Sequence, residues 1–309
     1  MQFKLVYENH QHYGLHVADI LLMMKYSLAS LGHTADIEHR FMPGYMNIML
    51  ECFDDDFVKH IENTWSPGTG LIVVSTEFIT GGTFNNIYNE PEGIREKADH
   101  NQRKDYWQQR YNNFSRILPY VSAVWHPAKQ QVPLYRETFP AVNIEYMPHA
   151  YSNAFATVKQ YDDSKKDIDV LFTGTLTRYR KEMIAPLHDA GLNVVVSSLF
   201  TAPFHREDLI SRAKVTLNIK QHSDWEHESV GRLHYHLSND SILITDDCRF
   251  PTDLHEYVSK VGDSWEESIM EQLSLGFYTK RARDARERYS HSQPATILFK
   301  HLLEESGIV

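Results

Sequence analysis

Cysteine is scarce in this chain: only Cys52 and Cys248 occur among its 309 residues. Two thiols cannot build a disulfide framework or a cysteine-rich zinc site, and such usage suits a reducing cytoplasm. Long apolar runs are missing as well. No stretch approaches the about 18 residues that cross a bilayer, and the opening Met1–Tyr7 turns polar too quickly for a signal peptide, so no membrane span is expected.

Positive charge is in deficit. The 31 basic residues are outnumbered by 41 acidic ones, a formal net charge of -10. This argues against a broad nucleic-acid or anionic-membrane surface but permits a local basic pocket. Signature loops are absent too. Neither half holds Gly-x-Gly-x-x-Gly between a strand and a helix, and Gly68 and Gly70 stand before a strand as turn residues. There is no Gly-x-x-x-x-Gly-Lys phosphate loop, no His-Glu-x-x-His and no Cys-x-x-Cys. The 18 histidines do not compensate: His234 and His236 fall on different sides of a helix, and His10 and His12 sit in a loop with no acid cluster nearby. Asp54–Asp56 reads as a helix cap and Asp246–Asp247 as a strand end. Classical dinucleotide, P-loop and metal chemistry all lose support, and neither a metal nor a cofactor is expected.

What is present is a β/α alternation long enough, at roughly 150 residues per domain, for two domains. Composition is that of a soluble globular protein, 42% hydrophobic and 23% charged. Phe3–Tyr7 reads as a strand. The helical stripe Val17, Leu21, Met24, Leu28 and Leu31 follows, with Gly32 at a left-handed C-cap and a strand at Ala35–Ile37. Further strands are expected at 71–76, 123–125 and 143–146, a loop or insertion at 85–103, and a helix ending at Pro119. Residues 152–167 read as a linker. Strands at 168–173, 193–197, 215–219 and 241–245 alternate with helices at 178–190, 206–213 and 228–237, which predicts a parallel sheet covered on both faces. Pro186 is expected to kink or shorten its helix. Three more helices follow, at 265–273, 280–289 and 296–305.

Two segments carry chemistry. Gly174-Thr-Leu-Thr-Arg-Tyr-Arg-Lys181 joins a buried strand to a helix start. Gly174 allows a tight turn, backbone N–H groups and the positive helix end suit a diphosphate, and Arg178, Arg180 and Lys181 can supply charge-assisted bonds. Cations in a first helical turn oppose the helix dipole and need a compensating reason, which favours an anion over the alternative of a solvated surface. Asn218–Glu228, which includes Lys220 and His222, follows the next strand but one, where open α/β sheets bind ligands. There Glu228 can accept two hydrogen bonds from vicinal ribose hydroxyls, or serve as an ordinary helix N-terminal acid, or pair with Arg232 one turn on.

From Asp169-Val-Leu-Phe-Thr-Gly-Thr175 through Arg178 and Arg180, Ala190–Val196, Leu209–Ile219, Glu228, Arg232-Leu233 and Ser241–Thr245, the second half resembles the C-terminal domain of GT-B glycosyltransferases, particularly spore-maturation CgeB-like and group 1-like proteins. The likeness covers about residues 140 to 303. It departs at Tyr235-His236, where the family often has an acid followed by Ala, and at Asp240, where it has Gly. The resemblance implies two Rossmann-like α/β domains facing a cleft: an acceptor domain at 1–150, a nucleotide-sugar donor domain at 151–292, and a C-terminal helix at 293–309 placed to pack back on the first. Gly174, Thr175, Arg178, Arg180, Lys181, Lys220, His222, Glu228 and Arg232 would line the donor site. The expected activity is metal-independent transfer of a sugar from a nucleotide-diphosphate donor to an unidentified glycan, protein or small-molecule acceptor. An inverting reaction would need a general base in the first domain, with His12 expected ahead of His10, His16 and the runner-up Glu77. A nucleotide-sugar epimerase and a non-catalytic nucleotide-sugar or glycan-binding protein are the alternatives.

Overall fold

The structure, a computed structural model, describes residues 1–8, 17–85, 104–198 and 200–309. His10, His12 and His16 lie outside the described residues, as does nearly all of the segment read as an insertion. The chain divides into two units, Met1–Pro148 with Leu298–Val309, and His149–Ile297.

The first unit runs β1 (Gln2–Val6), α1 (Ala18–Ser30), β2 (Thr34–Glu38), β3 (Met46–Leu50), α2 (Asp55–Thr64) and β4 (Gly70–Val74). It continues through the small antiparallel pair β5 (Ile79–Thr80) and β6 (Thr83–Phe84) to α3 (Lys104–Ile117), β7 (Ala123–His126), α4 (Gln131–Thr138) and β8 (Ile144–Tyr146). Six strands form one sheet in the order β2-β1-β3-β4-β7-β8, every neighbouring pair parallel. Helices cover such a sheet because both faces of its strands are apolar: β4 is buried from end to end. Asp54 caps α2 as expected, its Oδ1 accepting from Phe57 N at 2.8 Å. Residues of the last helix return to this unit. Trp125 Nε1 donates to Ser306 Oγ at 2.7 Å and its ring meets Phe299 edge-on.

The second unit is built from β9 (Ile168–Thr173), α5 (Arg178–Asp189), β10 (Val194–Ser197), α6 (Pro203–Arg212), β11 (Ala213–Asn218), α7 (Val230–Ser238), β12 (Leu243–Thr245), β13 (Ser259–Lys260), α8 (Trp265–Ser274), α9 (Tyr278–Ser292) and the start of α10 (Ala295–Glu305). Its sheet is parallel throughout, ordered β10-β9-β11-β12-β13. Pro186 does not end α5, which continues for three residues past it, with Ala190 N donating to the Pro186 carbonyl at 3.0 Å.

In both sheets the second strand lies outside the first and the third lies on its other side. The order therefore reverses between β1 and β3, and again between β9 and β11. Connections leave in opposite directions at such a point and open a crevice beyond the carboxyl ends of the two strands.

Candidate functional site

At the β9/β11 crevice three of the nine residues expected to line a donor site come together: Gly174, Arg180 and Arg232. β9 ends at Thr173, and Gly174 turns the chain at φ +132°, its N–H bonded to the Ser197 carbonyl at 2.8 Å. A side chain is barred there on two counts. That φ lies in glycine territory, and a Cβ would come within 2.7 Å of Arg232 Nη2. Thr177 then caps α5, accepting from Arg180 N at 3.4 Å while its hydroxyl donates to the Gln221 carbonyl at 2.7 Å, which ties the β9 loop to the β11 loop.

Two arginines meet beside this turn. Arg180 is buried, with Nε donating to the carbonyls of Ile219 (3.0 Å) and Lys220 (3.2 Å) and Nη1 to that of Thr175 (2.8 Å). Arg232, from the first turn of α7, donates from Nε to the Thr173 carbonyl (2.7 Å) and from Nη1 to Asn218 Oδ1 (3.0 Å). Both guanidiniums lie against Phe172, at 5.3 and 4.8 Å from the ring centroid. Among the described residues neither is ion-paired, and Nη2 of Arg232 has no acceptor. The expected one-turn pair between Glu228 and Arg232 is thus not formed.

Burial without a carboxylate partner lowers the affinity of both guanidiniums for their protons. Arg180 is brought down to about 10, and Arg232 is depressed further, with the charge of Arg180 adding to the effect of burial. Asp246 opposes this for Arg180 from beyond ion-pair range. Its own oxygens take Lys220 N (2.8 Å) and the Tyr179 hydroxyl (3.2 Å), and burial raises its pKa. A bound anion would relieve two poorly solvated like charges at once.

The other anticipated donor residues are placed differently. Arg178 projects outward with its side chain 78% exposed and pairs with Glu182 on the same helix at 2.8 Å. Thr175 and Lys181 are exposed, the former contributing its carbonyl to Arg180. Lys220 is half-buried, its ammonium 5.9 Å from the Tyr179 ring, and the ring nitrogen of His222 lies 3.7 Å from Asp224.

Glu228 is sealed in, with no exposed side-chain surface. Oε2 accepts from Thr252 N (2.8 Å) and Thr252 Oγ1 (2.9 Å), while Oε1 accepts from Thr245 Oγ1 (3.4 Å) and meets His255 Nδ1. With both oxygens engaged, this carboxylate does not present itself to a pair of ribose hydroxyls. Asn218, Asp246 and His255 were not singled out as site residues from sequence. Asn218 and Asp246 could have been, since each stands at the carboxyl end of a strand, whereas His255 carries no such signal.

In the first unit Glu77 follows β4. Arg110 donates to its Oε1 from Nη2 (2.5 Å) and Nε (3.0 Å), and Asn85 donates to Oε2 at 2.6 Å. Burial raises the pKa of this carboxyl and the Arg110 charge pulls it back. Glu77 is therefore committed on both oxygens, which does not suit the role of runner-up base. No group of three or more His, Cys, Asp or Glu side chains is arranged to hold a metal among the described residues, and no helix among them is long and apolar enough to cross a membrane.

No protein-family model matches the chain, and no curated protein sequence does. Solved structures do. An alpha-glucosyltransferase in complex with UDP-glucose and DNA containing an abasic site superposes with a TM-score of 0.64 at 8% identity, over 99% of this chain and 98% of that one. Sucrose-phosphate synthase from Thermosynechococcus elongatus gives 0.59 at 10% identity, over 99% and 98%. TarM gives 0.52 at 9% identity over 85% of this chain and 54% of its own, so the chain spans about half of TarM's length. These are GT-B structures, and the fold of this chain is GT-B.

Proposed function

We propose that the chain is a glycosyltransferase that moves a sugar from a nucleoside-diphosphate donor to a nucleophilic acceptor without a metal ion. One observation carries this reading: two guanidiniums, those of the buried Arg180 and the half-buried Arg232, stand together without a carboxylate partner at the β9/β11 switch point. When the glycosidic bond breaks, negative charge accumulates on the departing diphosphate. Fixed cations in a partly dehydrated crevice stabilise that charge without reorganising. Similar structures are complexes with UDP and with UDP-glucose, which makes nucleoside diphosphates the natural ligand class.

For an inverting reaction the acceptor's proton goes to a base in the first unit. His12 is our choice, because imidazole titrates near neutrality and Glu77 is already engaged. The test is release of nucleoside diphosphate from a panel of nucleotide sugars offered with hydroxyl acceptors, before and after exhaustive chelation. Turnover that survives chelation, falls in Arg232→Ala and falls in His12→Ala with donor binding intact is the expected result. Turnover restored only by a divalent ion overturns the metal-free part, and an unaffected His12→Ala removes that base.

A further inference from the structure

A continuous hydrogen-bonded chain leaves the arginine pair in the direction of β12. Arg232 Nη1 donates to Asn218 Oδ1 (3.0 Å), Asn218 Nδ2 donates to Thr245 Oγ1 (3.0 Å), and Thr245 Oγ1 reaches Glu228 Oε1 (3.4 Å). Glu228 in turn holds His255 by its Nδ1. The chain stops at the other side of that ring, where His255 Nε2 is buried and has no hydrogen-bond partner.

We propose that His255, oriented by Glu228, is the residue that recognises a ribose hydroxyl of the nucleoside diphosphate, the hydroxyl donating a hydrogen bond to Nε2. The proposal rests on the donor-site reading above and refines it. A carboxylate on Nδ1 fixes the tautomer with the proton on that nitrogen and leaves Nε2 a lone-pair acceptor. A buried acceptor without a partner is a cost that a ligand hydroxyl would remove. The His255 side chain keeps 11% of its surface exposed, so the ring is not sealed off as Glu228 is. Glu228 then acts as a positioning residue rather than as the ribose ligand itself, in keeping with its four donors and absent exposure.

The experiment compares affinities for ribonucleoside diphosphates (UDP, GDP, ADP), their 2′-deoxy and 3′-deoxy counterparts, and inorganic pyrophosphate, in the wild type, His255→Phe, His255→Gln and Glu228→Gln. The wild type should prefer the ribonucleotide over at least one deoxy form by about tenfold. His255→Phe should lose that preference while retaining pyrophosphate binding. His255→Gln, which keeps an acceptor, should retain part of it, and Glu228→Gln should weaken it. A ribose preference unchanged in His255→Phe, or no preference in the wild type, overturns the proposal and leaves the arginine site standing. Failure of the wild type to bind pyrophosphate and every nucleotide removes both.

Discussion

Arg178 and Arg180 are two residues apart in sequence and have opposite fates. Along a helix two positions differ by about 200°, so if one faces the sheet the other faces water. Sequence alone located the pair but not which of them turns inward. Glu228 was legible as an acid at a strand–helix junction, yet its partners Thr252 and His255 arrive 24 and 27 residues later, by way of β12. Gly174 was the most readable residue, and its role is sharper in three dimensions. Gly174→Ala should destabilise the fold by about 1–3 kcal/mol through the left-handed φ and weaken anion binding by displacing Arg232. Paired thermal melts with and without pyrophosphate check both effects. Removing one partner from the Glu77–Arg110 pair has a larger consequence, because the surviving charge stays buried. Glu77→Gln should cost about 3 kcal/mol in urea unfolding, whereas Arg178→Ala should cost under about 0.5 kcal/mol.

At the scale of elements, the alternation in the second half was legible because its strands are uninterrupted apolar runs separated by short connections. Among the elements not expected from sequence are α4, β13 and, in the middle of the first sheet, β3, inserted between β1 and β4. Asn47 breaks its apolar pattern, but its amide is satisfied inside the fold by the carbonyls of Met42 and Tyr45, both at 2.9 Å, which permits full burial. Helix α7 illustrates the same limit. His234 and His236 do lie on different sides of it, and both are nonetheless buried, one against Phe155 and His149, the other between Thr173 and Ser241. Burial lowers their pKa to about 4 and about 3. The unfolded chain protonates both below about pH 6.5 while the folded chain does not. Stability should therefore fall on acidification, by up to about 1.4 kcal/mol per pH unit for each histidine until its folded pKa is reached. Urea midpoints at pH 7, 6 and 5 measure this, and a midpoint that holds steady or rises toward pH 5 contradicts it.

At the scale of the whole molecule, one strand order occurs twice, and each copy opens a crevice at its own switch point. The sequence showed the repeated alternation; it could not show which strands are neighbours, because parallel partners are separated by whole helices. The crevice of the second unit carries the exceptional electrostatics. In a chain of net charge -10, one buried and one half-buried guanidinium stand there side by side against one phenyl ring. Their juxtaposition is the basis of the functional reading, and calorimetric titration with nucleoside diphosphates of the wild type, Arg232→Ala and Arg178→Ala tests it most directly. Loss of charge-assisted bonds worth about 1.5–3 kcal/mol should weaken binding to Arg232→Ala at least tenfold, with Arg178→Ala close to the wild type. Equal affinity in all three proteins, or no binding by the wild type, would contradict a diphosphate site at the β9/β11 crevice.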